Sequence, residues 1–246
     1  MAVCCRAVAF FLLPRGKIQR GHQVTDGLKF ARRAAKSGAA RSIVVFVHGY
    51  GTDGADLLGL ADVLAEHMPH TMFYAPDAPQ SCPGNPFGYQ WFPIPWLDGS
   101  SEAAAAAGLA TSSVALNDFL DACLAEADLT DADLALVGFS QGAMISMHVA
   151  PRRAQAVAAV VAISGRLLEP AALAGEVRVK PPILLIHGDQ DPMVPFSSMA
   201  AAGDVLIANG FKTYSHVMRG TGHGIANDGL GATLAFLLEN LPREKG

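Results

Sequence analysis

Charge is scarce in this chain. Asp, Glu, Lys and Arg make up 16% of its 246 residues, and the formal net charge is −4. No run or stripe of basic residues is present, so the electrostatic footprint of a nucleic-acid binder is missing and nucleic acid is not expected as a partner. Cysteine is scarce too. Cys4, Cys5, Cys82 and Cys123 have neither the paired spacing of a zinc site nor the density of a disulfide scaffold, which leads to the expectation of a reducing, cytoplasmic setting. No apolar run approaches the roughly 18 to 20 residues that cross a bilayer, so stable membrane insertion is not expected. Motifs of the H-E-x-x-H kind and clustered acid and cysteine patterns are absent, and no metal site is expected.

What the chain has in quantity is apolar side chains, 51% of the total, enough for a sizeable core. From Ser42 onward short apolar runs alternate with helical stretches, the signature of βαβ units and a mainly parallel sheet covered by helices on both faces. The runs are Ile43–Val47, Met72–Ala75, Leu134–Val137, Val157–Ile163 and Ile183–Ile186, with Leu28–Arg32 and Lys212–Met218 as further strands. Helices are predicted over Ala55–Met68, Ser101–Ala127, Gln141–Ala150, Ser197–Asn209 and Ile225–Leu241. No repeat or linker divides them, so residues 24–246 read as a single domain.

Before that lies a segment without a fold-like pattern. Ala7–Leu13 resembles the apolar part of a signal peptide, but Pro14-Arg15-Gly16-Lys17 follows it where a small-residue cleavage site belongs. Residues 1–23 are expected to be a disordered tail or a mis-assigned extension, with Val24-Thr25-Asp26-Gly27 as a natural start.

Pro76 to Ser100 breaks the rhythm, with six prolines and the aromatics Phe87, Tyr89, Trp91, Phe92 and Trp96. That density of proline excludes a regular helix or a central strand. A long irregular loop in a compact domain is usually functional, and Phe87, Trp91, Phe92 and Trp96 are expected to form an apolar substrate wall; packing onto the core is the competing reading.

The strongest local signal is Gly138-Phe139-Ser140-Gln141-Gly142, set between a predicted strand and a predicted helix. A sharp strand-to-helix turn holds a serine hydroxyl above the sheet edge, and glycine two positions to either side leaves it room. Such a serine needs a base held by an acid. His223, in Gly220-Thr221-Gly222-His223-Gly224, follows a strand and precedes the last helix, as a mobile base should. Asp189 and Asp191 both follow the strand Ile183–Ile186, and position alone does not choose between them. Two amide donors for a tetrahedral intermediate are expected from Gln141, next to the serine, and Tyr50, in the glycine-rich loop His48-Gly49-Tyr50-Gly51. His48 and His187 each precede a glycine at a strand end and are expected to brace loops.

With these residues in view, the chain resembles the phospholipase/carboxylesterase family, which includes bacterial carboxylesterases and acyl-protein thioesterases. The resemblance runs from about Leu28 to the C-terminus and rests on His48-Gly49-Tyr50-Gly51, Gly138-Phe139-Ser140-Gln141-Gly142, His187-Gly188-Asp189-Gln190-Asp191-Pro192-Met193-Val194-Pro195 and Gly222-His223. It implies a single α/β-hydrolase domain without a large lid domain, no cofactor, and action on ester or thioester bonds of small or acyl substrates. It also implies Asp191 as the acid, an acyl-contacting place for Trp91-Phe92, and Met193 and Val194 beside the substrate. The expected catalyst is a serine carboxylesterase for short- to medium-chain esters. A thioesterase or lysophospholipase with a longer acyl preference is the alternative, and a catalytically silent ligand-binding homologue is the alternative of another class. The sequence leaves the oligomeric state open, a homodimer included.

Overall fold

In the computed structural model the described residues are 27–83 and 85–242, together with Gln19–Arg20. The signal-like run Ala7–Leu13 and the proposed start at Val24 fall outside them. Gln19–Arg20 (β1) pairs antiparallel with Phe30–Arg33 (β2) at one edge of the main sheet.

The remaining strands of that sheet are Ser42–Val47 (β3), Thr71–Pro76 (β4), Leu134–Phe139 (β7), Ala159–Ile163 (β8), Ile183–Gly188 (β9) and Thr213–Met218 (β10). They run in the spatial order β1-β2-β4-β3-β7-β8-β9-β10, and from β4 to β10 every pairing is parallel. Parallel strands need covered crossovers. The crossovers are Gly54–Leu58 (α1), Leu60–His67 (α2), Glu102–Ala127 (α4), Gln141–Val149 (α5), Leu173–Glu176 (α6) and Ser197–Ala208 (α7), with Asn227–Asn240 (α8) closing the chain.

Strand β3 explains why these runs carry no polar face: all six of its residues are buried. Ile43, Val45 and Val47 pack with Leu116, Leu120, Ile145 and Leu206 from α4, α5 and α7. Val44 and Phe46 pack on the other side with Leu58, Leu64 and Leu237 from α1, α2 and α8. The predicted strands and helices are therefore where the periodicity puts them. One helix differs: Ala55–Met68 is split at Gly59, the poorest helix former in the stretch, where the Asp62 amide bonds the Gly59 carbonyl in a tighter turn. At α4, Ser101 caps the helix by accepting the Ala104 amide at 3.1 Å.

The proline-rich segment is more regular than expected. Gln80–Cys82 (β5) and Asn85–Gln90 (β6) form a separate antiparallel ribbon, followed by the short helix Pro95–Asp98 (α3). Proline is excluded from central strands but not from a two-stranded edge, which is how Pro86 sits inside β6. The ribbon stands off the main sheet at the C-terminal ends of its parallel strands, held there by an isolated bridge between Thr52 and Tyr89.

Candidate active site

Ser140 stands at the junction of β7 and α5 with φ 54° and ψ −116°, in a region that L-residues avoid at a cost of about 1–3 kcal/mol. The strain is held by the neighbours: the Ser140 amide donates to Ile163 O at 2.8 Å and its carbonyl accepts from the Met144 amide at 3.1 Å. Gly142 has no substitute here, because a Cβ would collide with the Val47 and His48 carbonyls of the adjacent strand end.

The two loops that meet this serine come from β9 and β10. Ser140 Oγ is 3.0 Å from His223 Nε2, and His223 Nδ1 is 2.7 Å from Asp191 Oδ2. A carboxylate can only accept, so Nδ1 carries the proton and Nε2 is left to accept from the serine hydroxyl. The Asp191 side chain is fully buried. Burial opposes its charge, but the His223 hydrogen bond and the Val194 and Met193 amides prevail and hold its pKa below the ordinary carboxylate value. Those amides donate to Oδ1 at 2.9 and 2.8 Å.

Asp189 has a different task. Its Oδ1 accepts the Gly220 amide at 2.7 Å, so it ties down the loop that carries His223 and does not touch the imidazole. Gly188 lets the two loops meet, since any side chain there would strike the Thr221 and Gly222 carbonyls. His187 is buried with Nε2 3.0 Å from Val194 O and 3.3 Å from Asp191 Oδ2. Both are acceptors, so Nε2 carries a proton, and His187 steadies the acid as well as its loop.

Across the site lies the loop after β3. Gly49 packs against the serine, where an added Cβ would sit 3.3 Å from Ser140 Cβ. Gln141 opens α5 directly after the serine, and the first amides of a helix have no partner within it. The ribbon is stitched to this loop: Gly51 N–H donates to Tyr89 O at 2.9 Å, Tyr89 N–H to Thr52 O at 2.8 Å, and Asn85 Nδ2 to Gly51 O at 2.9 Å.

The expected substrate wall divides. Trp91 is 0% exposed and belongs to the core. Its indole N–H donates to His48 O at 3.0 Å, its amide donates to Gln141 Oε1 at 2.8 Å, and its carbonyl accepts from the Ser112 hydroxyl. Every polar group of Trp91 is thus spent inside, which corrects its assignment to a substrate surface. Phe92 and Val194 are buried too, and Met193 is half-buried. Phe87 and Trp96, by contrast, are 87% and 67% exposed, together with Leu97 on α3. Sequence reasoning missed the Gln141 side chain. It is buried, with Nε2 donating to Phe92 O at 2.7 Å while Oε1 takes the Trp91 amide, so it clamps the aromatic segment from the start of α5. A buried glutamine beside the serine was the available signal.

Among the described residues no helix is long and apolar enough to cross a membrane, and no group of three or more His, Cys, Asp or Glu side chains is placed to hold a metal ion. Cys82 and Cys123 are both buried.

Comparison with known proteins agrees with this architecture. The family model described as Phospholipase/Carboxylesterase matches residues 30–241. Acyl-protein thioesterase 1 of Saccharomyces cerevisiae is 32% identical over 176 residues, covering 67% of this chain and 76% of the yeast protein. Esterase YpfH of Escherichia coli is 25% identical over 205 residues, covering 83% of this chain and 85% of its own length. The crystal structure of esterase PE8 superposes with a TM-score of 0.83 at 44% identity, over 87% of this chain and all of that one. The chain belongs to the phospholipase/carboxylesterase family and is a serine hydrolase of the α/β-hydrolase fold.

Proposed function

We propose that this protein is a carboxylesterase that hydrolyses short- to medium-chain carboxylic esters through an acyl-enzyme on Ser140. The observation that carries the reading is the continuous hydrogen-bonded line from the Ser140 hydroxyl through both nitrogens of His223 to Asp191. His223 Nε2 takes the hydroxyl proton as Ser140 Oγ attacks the carbonyl carbon. Asp191 holds the ring in the required tautomer and stabilises the cation that forms. The Tyr50 and Gln141 amides receive the negative oxygen. The intermediate collapses as His223 returns the proton to the departing alkoxide, and water, deprotonated by the same nitrogen, then releases the acid.

The preference for shorter acyl groups is supported by the wall residues that are used up in packing: Trp91, Phe92 and Val194 leave little apolar surface of their own for a long chain. A thioesterase or lysophospholipase reading is favoured instead by exposed Phe87, Trp96 and Leu97 on the same segment and by the yeast thioesterase relative.

The test is a series of p-nitrophenyl esters, acetyl to palmitoyl, on wild type and Ser140→Ala. Serine-dependent turnover that peaks at acetyl or butyryl is expected. A peak at long chains selects the second reading, and turnover that survives Ser140→Ala sinks both.

A further inference from the structure

We propose that His48 is the positioning residue of the oxyanion loop: its Nδ1–H captures the Gly49 carbonyl, and this turns the Tyr50 N–H of the same peptide toward the site of the developing oxyanion. The inference rests on the serine-hydrolase reading above and assigns the part of the machinery that orients one of its donors.

The tautomer follows from the neighbours. The Ala78 amide donates to His48 Nε2 at 2.9 Å, and an N–H can only meet a lone pair. The ring is therefore neutral with its proton on Nδ1, which is 2.7 Å from Gly49 O. Burial agrees with this, pushing the His48 pKa down to about 4. A second donor converges on the same oxygen, the Thr52 hydroxyl at 3.2 Å.

The peptide bond carries the consequence across. The described chain has no cis peptides, and in a planar trans unit the C=O and N–H point in opposite directions. With the Gly49 carbonyl drawn back toward His48 and Thr52, the Tyr50 N–H is driven outward, on the flank where Gly49 packs against Ser140. The imidazole cannot swing to follow a different peptide. It is wholly buried, its ring centroid is 5.6 Å from that of Trp91, and its own carbonyl accepts the indole N–H at 3.0 Å. His48 does not reach the reacting atoms and acts through the backbone alone.

Two replacements separate this role from simple packing. In His48→Asn the side-chain amide nitrogen occupies the region of Nδ1 and can donate to Gly49 O. In His48→Gln the longer amide reaches the region of Nε2 and can serve Ala78, leaving Gly49 O without its donor. Both lose ring packing, so both are expected to lower Tm. The readouts are kcat and KM on a p-nitrophenyl ester, and affinity for an alkyl trifluoromethyl ketone, whose Ser140 hemiketal needs the oxyanion donors. Loss of an aligned donor costs about 100-fold in kcat. We expect that loss in His48→Gln with KM within about threefold, a matching loss of ketone affinity, and recovery of at least tenfold of it in His48→Asn. Equal losses in the two variants, or no loss in His48→Gln, overturn the assignment. Ser140→Ala run alongside keeps the outcomes apart. If wild-type turnover depends on Ser140, equal losses remove only the role of His48; if it does not, both readings fall.

Discussion

A His-Gly pair follows β3 and another closes β9 at the same edge of the sheet, and both histidines are buried, yet the two are bonded differently. At β3, His48 bonds only main-chain atoms, Ala78 N and Gly49 O, apart from a 3.3 Å approach of the Thr52 hydroxyl. In the proposed mechanism that end offers a backbone amide. At β9, the ring of His187 is shared between Val194 O and the Asp191 carboxylate, and that end offers a side chain. The same dipeptide thus stiffens two loops, and in the proposed mechanism only at β9 does the chemistry depend on the identity of the presented residue.

Substitutions can break this contrast, beginning at the acid. Asp191→Asn keeps the shape but lets the amide favour the wrong histidine tautomer, and kcat is expected to fall about 10⁴-fold, measured on p-nitrophenyl acetate with circular dichroism as the folding control. A loss below about tenfold would mean that the carboxylate is structural. Asp189→Ala, two residues away, sharpens the same point. It frees the Gly220 amide without touching His223, so a stability loss of about 1.5 kcal/mol is expected, read from urea unfolding, with kcat reduced far less than in Asp191→Asn. Reversal of that order would exchange the two acids.

Protonation offers another probe of the β3 end. His48 and His148 are both held neutral by burial, each with its pKa lowered from 6.5 to about 4. Between those values the unfolded chain binds protons that the native state refuses, so stability falls as pH drops through the window. The slope is at most about 1.4 kcal/mol per pH unit for each ring, and it flattens below the native pKa. Urea midpoints at pH 7.5, 6 and 5 should decline in that order, and His148→Gln should halve the decline. A midpoint unchanged from pH 7.5 to 5 would show that neither ring is held neutral.

How much of this could be read beforehand depended on whether a residue's neighbours were fixed by a regular element. The meeting of Ser140, His223 and an acid after β9 was legible because each follows a strand of the parallel sheet by a short turn and the C-terminal ends of those strands share one edge, whereas the choice of Asp191 over Asp189 came from the family resemblance. Trp91 was not, because it follows a ribbon with a register shift between Ser81 and Cys82 and no period tells which aromatics of such a segment turn inward. Its fate was set by distant partners, the His48 carbonyl and the Gln141 amide group, 43 and 50 residues away in sequence. The split of Ala55–Met68 at Gly59 was visible as a glycine in a helical pattern but was read through.

Gln141 makes the buried aromatic segment and the helix after Ser140 one joined piece of carpentry. Its backbone begins α5 beside Ser140 while its side chain grips the Trp91 amide and the Phe92 carbonyl. A segment grafted here from another family member must therefore bring an amide and a carbonyl that mate with position 141. One that does not would unseat itself and loosen the turn that carries Ser140, so a change made in this segment would reach the serine as well.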